Sequence, residues 1–150
     1  MRIVVQRVSK SSVEIDNKIH SQIDKGLLVL VGVEDEDDRT DVDWLCGKVL
    51  NLRVFDDENG VMNKSVVDID GELLLVSQFT LHASTKKGNR PSYIKAARPE
   101  CAIPLYNMFC QQLEIGMNKP VKTGVFGANM QVTLVNDGPV TIIIDSKNKE

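Results

Sequence analysis

Along the first third of the chain, apolar residues alternate with polar ones or run together, which is the signature of strands. Residues 2–8 and 12–15 are rich in Val and Ile, Asp16 and Asn17 read as a turn, and residues 20–23 continue the alternation. Residues 27–33 form an unbroken apolar run between Gly26 and an acidic stretch, a pattern that suits a strand buried on both faces. The acidic stretch, residues 34–38, leads into a predicted helix. Five carboxylates in a row bring a metal site to mind, but negative charge near a helix N-terminus is favourable, and helix entry is the preferred reading. Thr40 is the expected N-cap, with Asp43 as an imperfect capping-box partner. Val42, Leu45, Cys46, Val49 and Leu50 fall on one helical stripe, and Trp44 lies off it.

The middle of the chain gives a short strand at 53–55, a turn at 56–60 and a strong strand at 72–80. Residues 81–98 have no clear period and read as a long functional loop. A second helix is predicted to open at Pro99, with Ala102, Leu105, Tyr106, Phe109, Cys110 and Leu113 as its stripe and Gly116 as its stop. Strands return at 121–126, 130–135 and 140–144, and the polar residues 145–150 read as a frayed tail. Seven or more strands and two main helices make an α+β fold with a largely antiparallel sheet, in one domain spanning 1–150.

Composition narrows the function classes. Hydrophobic residues at 42% and charged residues at 26% exclude a disordered chain. A formal net charge of -3 gives no global attraction to nucleic acid or to an anionic membrane, so any such contact is local. No apolar run approaches the ~20 residues of a membrane span, no signal peptide is evident, and a cytoplasmic protein is expected. Three cysteines without regular spacing argue against a disulfide framework and suit a reducing compartment. Three thiols fall short of a four-thiolate zinc site, and only His20 and His82 could add nitrogen ligands.

Three segments carry candidate chemistry. Ser77, Gln78, Phe79 and Thr80 sit where a strand feeds a loop, offering hydroxyls, an amide and backbone N–H groups to an oxyanion. In an extended chain Thr80 and His82 point the same way, and His82 is the only nearby imidazole for a hydroxyl nucleophile. The bland alternative is a Ser/Thr-rich strand end beside a solvated histidine. Residues 136–139, Asn-Asp-Gly-Pro, are strong turn chemistry between two strands. On the residues alone, the Gly138–Pro139 bond is more often trans than cis. Residues 82–98 hold five of the chain's 18 Lys+Arg, among them Lys86, Lys87 and Arg90, and none of its 21 Asp+Glu. That island suits a polyanion, with Tyr93 available to stack on a base, or is a solvated loop. Phe126 and Met130 suit either an apolar slot for a flat base or plain core packing.

Taken together, the chain resembles the D-aminoacyl-tRNA deacylase family. The resemblance rests on Ser77-Gln-Phe-Thr-Leu81 and Asn136-Asp-Gly-Pro-Val-Thr141, supported by Met1-Arg-Ile-Val-Val-Gln-Arg7, Arg90-Pro-Ser-Tyr93, Ala96-Ala97, Pro99-Glu100 and Thr123-Gly-Val-Phe-Gly-Ala128. It implies a barrel-like fold and a homodimer with the active site at the interface. It implies hydrolysis of the ester between a D-amino acid, or glycine, and tRNA, with neither metal nor cofactor. Ser77, Gln78, Phe79 and Thr80 match the catalytic strand end. Gly138 and Pro139 match a cis dipeptide that excludes L-amino acids, Arg7 the residue orienting it, and Phe126 and Met130 the adenosine slot. Lys86, Lys87 and Arg90 are candidate tRNA contacts. Either Thr80 attacks the ester or water does, with Thr80 acting through its backbone; the second is preferred because no base is evident. The rival readings are a non-catalytic nucleic-acid-binding module and a generic esterase using Thr80 and His82.

Overall fold

The long first strand organises the molecule. In the computed structural model, which describes all 150 residues, β1 (Arg2–Ile15) has two partners on one edge and one on the other. β2 (Lys18–Ile23) pairs antiparallel with its second half through a tight turn in which Asp16 and Asn17 are both left-handed, the geometry of a two-residue hairpin. β3 (Gly26–Gly32) pairs antiparallel with its first half. After β3 the chain forms α1 (Arg39–Asn51), the small hairpin β4 (Phe55–Asp56) and β5 (Met62–Lys64), and β6 (Glu72–Ser77). It then continues through α2 (Pro99–Met117) to β7 (Lys122–Thr123) and β8 (Gln131–Asp145).

Most pairings are antiparallel, but β6 lies parallel to β3, and β7 parallel to β6. Each parallel pair is joined by a crossover containing a helix, as parallel pairing demands. At the far edge Ser21 Oγ donates to the Thr123 carbonyl at 2.7 Å, drawing β7 towards β2 and nearly closing the sheet into a barrel.

The alternation of β3 and β6 divides the core in two. Leu27, Val29, Val31, Leu73 and Leu75 face the helices and pack with Val42, Leu45, Val49, Phe109 and Leu113. Leu28, Leu74 and Val76 face the barrel interior with Val8, Val13 and Ile23. The continuous apolar run is therefore a strand covered on both sides.

Several element ends differ from expectation. Asp38, not Thr40, caps α1: its carboxylate accepts from the Thr40 N–H at 2.8 Å, and Asp41 accepts from the Asp38 N–H at 2.9 Å, a full capping box. Asp37 takes the buried N-terminal ammonium of Met1. The acidic run thus serves the helix entry and the chain terminus. Gly116 does not stop α2; Asn118 does, in the left-handed conformation. Gly116 instead lets the helices meet, because a Cβ there would lie 2.2 Å from Leu50 Cδ1. The strand expected at 121–126 shortens to β7.

The largest correction concerns residues 136–139. They do not reverse the chain. Both flanking segments pair with β1 in the same direction, so β8 is one strand with a bulge. Residues 137–140 lie between the pairs Gln6–Thr141 and Val8–Asn136, opposite Arg7 alone.

Candidate active site

β6 is held to β3 up to its last residue and then released. The Gln78 N–H donates to the Val31 carbonyl at 2.7 Å, and the chain turns into a short 3-10 helix, Phe79–His82. The strand expected to reach Thr80 therefore ends at Ser77. The turn leaves the backbone N–H groups of Phe79 and Thr80 without a hydrogen-bond partner in the chain. Two adjacent free donors at a helix start are suited to a developing oxyanion. The Gln78 side-chain amide donates to the Thr80 hydroxyl. Phe79 stands 54% exposed, its ring edge-on to Tyr93 with centroids 5.1 Å apart.

Beside this turn lies a cleft of about 610 Å³. Ser77, Gln78 and Phe79 form one wall, and Phe126 and Met130 another. Tyr93 and the stretch from Ala96 to Pro99 complete the rim, and Val76 and Val132 continue the barrel lining into it. Phe126 is braced edge-on by Tyr106 at 5.9 Å, and Tyr106 is fixed by donating its hydroxyl to the Leu75 carbonyl at 3.1 Å. Met130 crosses the face of Gly124, where a Cβ would sit 2.4 Å from its sulfur. The predicted strand end and the predicted apolar slot are therefore walls of one cavity. The sequence marks Ala96, Ala97 and Pro99 only as motif matches and a helix start, and Asn129 not at all, because no local signal says that a long crossover brings them to one rim.

Other candidate residues lie elsewhere. Thr80 is next to the cleft but does not line it. Gly138 and Pro139 are exposed on the β8 bulge, joined by a cis bond, and do not reach the cleft of their own chain. Arg7 anchors that bulge. Its Nε donates to the Asp137 carbonyl at 2.6 Å and its Nη1 to the Val54 carbonyl at 2.6 Å, with Asp56 at 3.5 Å. Asn136 closes the bulge, accepting from the Val140 N–H at 2.8 Å. Lys86, Lys87 and Arg90 are exposed on the loop between the turn and α2.

His82 differs from both sequence readings. It is neither solvated nor aligned with Thr80. The 3-10 turn carries its side chain inwards to 1% exposure, where Nδ1 lies 2.7 Å from Glu34 Oε1. That approach is close but poorly aligned for a hydrogen bond, so neither ring nitrogen has a well-directed partner. A base for Thr80 is thus missing from the site. Burial pushes the Cys46 thiol up to about 12 and raises Cys110 and the Tyr106 phenol, which removes these groups from acid–base work near neutrality. No three His, Cys, Asp or Glu side chains converge on a point that would hold a metal ion, and no helix is long and apolar enough to cross a membrane.

Comparison with known proteins adds independent findings. A family model described as D-Tyr-tRNA(Tyr) deacylase matches residues 4–145. The D-aminoacyl-tRNA deacylase of Bacteroides fragilis strain YCH46 is 65% identical over 150 residues, covering 100% of both chains. That of Flavobacterium psychrophilum is also 65% identical over 150 residues, again with 100% of both chains covered. Among solved structures, the c-Myc DNA Unwinding Element Binding Protein superposes with a TM-score of 0.92 at 44% identity, covering 97% of this chain and 98% of its own. A probable eukaryotic D-amino acid tRNA deacylase superposes with a TM-score of 0.81 at 17% identity, covering 95% of this chain and 97% of its own. At that identity the likeness speaks for the fold.

Proposed function

The chain belongs to the D-Tyr-tRNA(Tyr) deacylase family, and from that premise we propose how its cleft hydrolyses the ester of a D-aminoacyl-tRNA. The observation that carries the reading is the meeting of the Ser77–Phe79 wall with the Phe126 and Met130 wall in one cavity. The terminal adenine lies against Phe126 and Met130, and its ester-bearing ribose faces the strand end. Water attacks the ester carbonyl, and the Phe79 and Thr80 N–H groups receive the oxyanion. When the intermediate collapses, the ester C–O bond breaks and the ribose oxygen leaves with a proton. Free amino acid and tRNA result. An aminoacyl ester is already labile, so positioning and two donors suffice. The reaction asks for neither a metal nor a cofactor.

Selection works by exclusion. Gly138 and Pro139 are exposed, follow Asp137, whose carbonyl accepts from Arg7, and are absent from their own chain's cleft. In the proposed homodimer they enter the cleft of a second copy, fix the substrate ammonium through carbonyl oxygens and block an L side chain. Glycine has no side chain to clash, so glycyl-tRNA, including glycine mischarged on tRNA(Ala), is accepted. The setting is the cytoplasm, where charged tRNA is found.

The test is paired deacylation of matched D- and L-tyrosyl-tRNA with a chelator control. Rapid loss of the D ester alone, with or without chelator, is expected. Equal loss of both would remove the exclusion role from Gly138–Pro139. Loss of neither, with tRNA still bound, would favour a second reading as a nucleic-acid-binding module. The likeness to the c-Myc DNA Unwinding Element Binding Protein, at 44% identity, gives that reading its support.

A further inference from the structure

The segment between the 3-10 turn and α2 is a cationic finger rooted at the cleft. Ser84 and Ser92 form a two-way bridge, N–H to carbonyl at 2.8 and 2.9 Å, so residues 85–91 project as a closed loop. Lys86, Lys87 and Arg90 occupy that loop and are exposed, and Gly88 bends it at φ +110 with no atom near its Cβ position. The root of the finger continues directly into Tyr93, which lines the cleft, then Lys95, and Arg98 on the cleft rim. None of these five cations has a carboxylate within salt-bridge distance, which is also true of seven of the thirteen cations elsewhere; what sets the finger apart is that its cations lie together with no acid among them. No acid interrupts residues 83–99 on a chain whose net charge is -3.

Exposed like charges grouped on one loop without an internal counter-charge give a local positive potential that a polyanion would meet, on a chain that is otherwise acidic. Its position answers which part of the substrate is met. The cleft is filled by the terminal adenosine and its amino acid, so the next groups out of the rim are the phosphates of the acceptor end. We propose that Lys86, Lys87 and Arg90 hold the phosphate backbone of the acceptor end while Arg98 and Lys95 guide the strand into the cleft. This rests on the deacylase reading and deepens it, assigning to the finger the recognition of the nucleic acid beyond its last nucleoside. The tip offers Lys and Arg and no aromatic residue, so it has cations for phosphate and no ring to stack on a base. It therefore contributes attraction that is independent of sequence and sensitive to salt.

The experiment compares two D-tyrosyl esters, one on full-length tRNA and one on adenosine alone, with the wild-type protein and the triple variant Lys86→Ala, Lys87→Ala, Arg90→Ala. On tRNA, the triple variant is expected to lose about tenfold or more in kcat/KM through KM. The slope of log kcat/KM against log salt should fall in magnitude by roughly 2, the counterion release of about three phosphate contacts. On the adenosine ester the two proteins should agree within twofold. Equal rates on both substrates, or equal loss on both, would overturn the assignment. If the wild-type protein cleaves neither ester, the deacylase reading fails separately. Binding of uncharged tRNA over the same salt series then decides the finger's role: a reduced slope in the variant supports it, and an unchanged slope removes it.

Discussion

His82 Nδ1 lies 2.7 Å from Glu34 Oε1, and this buried approach links the two sides of the cleft. His82 ends the 3-10 turn that begins with Phe79. Glu34 forms a backbone bridge to Ala96, and the neighbouring Ala97 N–H donates to the Val33 carbonyl at 2.8 Å. The space for the imidazole exists because residue 32 is glycine: a Cβ there would lie 2.9 Å from His82 Cδ2. His82→Phe replaces the imidazole by a larger aromatic ring and removes the nitrogens beside Glu34. It is expected to lower kcat for D-tyrosyl-tRNA by roughly three- to tenfold, with KM little changed, because Phe79 and Thr80 lose their fixed position. His82→Gln returns a polar group beside Glu34 and should recover part of the loss. Equal kcat in wild type and His82→Phe would reduce the pair to packing.

Gly138 occupies a conformation that an L side chain rarely adopts, φ +152, and a Cβ there would meet Val140 Cγ2 and N at 2.8 Å and Arg7 Nη2 at 3.3 Å. Gly138→Ala must displace the bulge or the arginine that anchors it. The variant is expected to lose about 1 kcal/mol or more of stability. It should also lose at least tenfold in D-tyrosyl-tRNA deacylation, with poorer discrimination against the L ester. Thermal unfolding and paired deacylation measure the two effects. Unchanged activity and selectivity would count against the exclusion role.

The tail expected to fray is partly tied down. Lys147 Nζ donates to Asp41 Oδ2 at 2.8 Å, and Ser146 Oγ accepts from the Met1 ammonium at 2.8 Å. Burial alone would raise the Asp41 carboxyl, but hydrogen bonds from Lys147, Ser146 and the Asp38 amide outweigh it and hold it at about 2. A carboxyl lowered on folding contributes stability above its unfolded value, about 4, and that stability is lost as pH falls towards 2. Lys147→Met is therefore expected to cost about 0.5–1 kcal/mol at neutral pH. The gap from wild type should narrow as pH falls through about 2 and be lost below it, read by denaturant unfolding from pH 4 down to pH 1. A gap that persisted undiminished at pH 1 would show that Lys147 acts by packing.

How far the fold and site were legible depended on whether the deciding interaction was local. The stripes of α1 and α2 and the two-sided burial of β3 were readable, because periodicity records which face is covered. The two walls of the cleft were found separately, as a strand end and as a glycine-containing segment, but nothing in either states that they meet. Asn-Asp-Gly-Pro reads as a chain reversal on composition, and only the long-range register with β1 makes it a bulge. His82 was misread for the same reason. Extended geometry aligns it with Thr80, whereas a 3-10 turn rotates it into the interior. The caps at Asp38 and Asn118 lie two residues from the expected Thr40 and Gly116, because the Asp38–Asp41 capping box and the left-handed Asn118 fix the ends where several nearby residues could have capped.

Thr80 is the residue on which the chemistry divides. As a nucleophile it would need a base near its hydroxyl. Its hydroxyl instead accepts from the Gln78 amide, a group that takes no proton near neutrality, and His82 is turned away towards Glu34. Its backbone N–H, by contrast, has no partner in the chain and lies beside that of Phe79. Thr80→Ala keeps that N–H and removes only the hydroxyl. Deacylation of D-tyrosyl-tRNA by the variant is therefore expected to stay within about tenfold of wild type, since the oxyanion donors survive. Single-turnover rates with saturating enzyme separate chemistry from binding. A fall of a thousandfold or more with tRNA affinity intact would assign the attack to the hydroxyl, and the base would then have to come from the substrate.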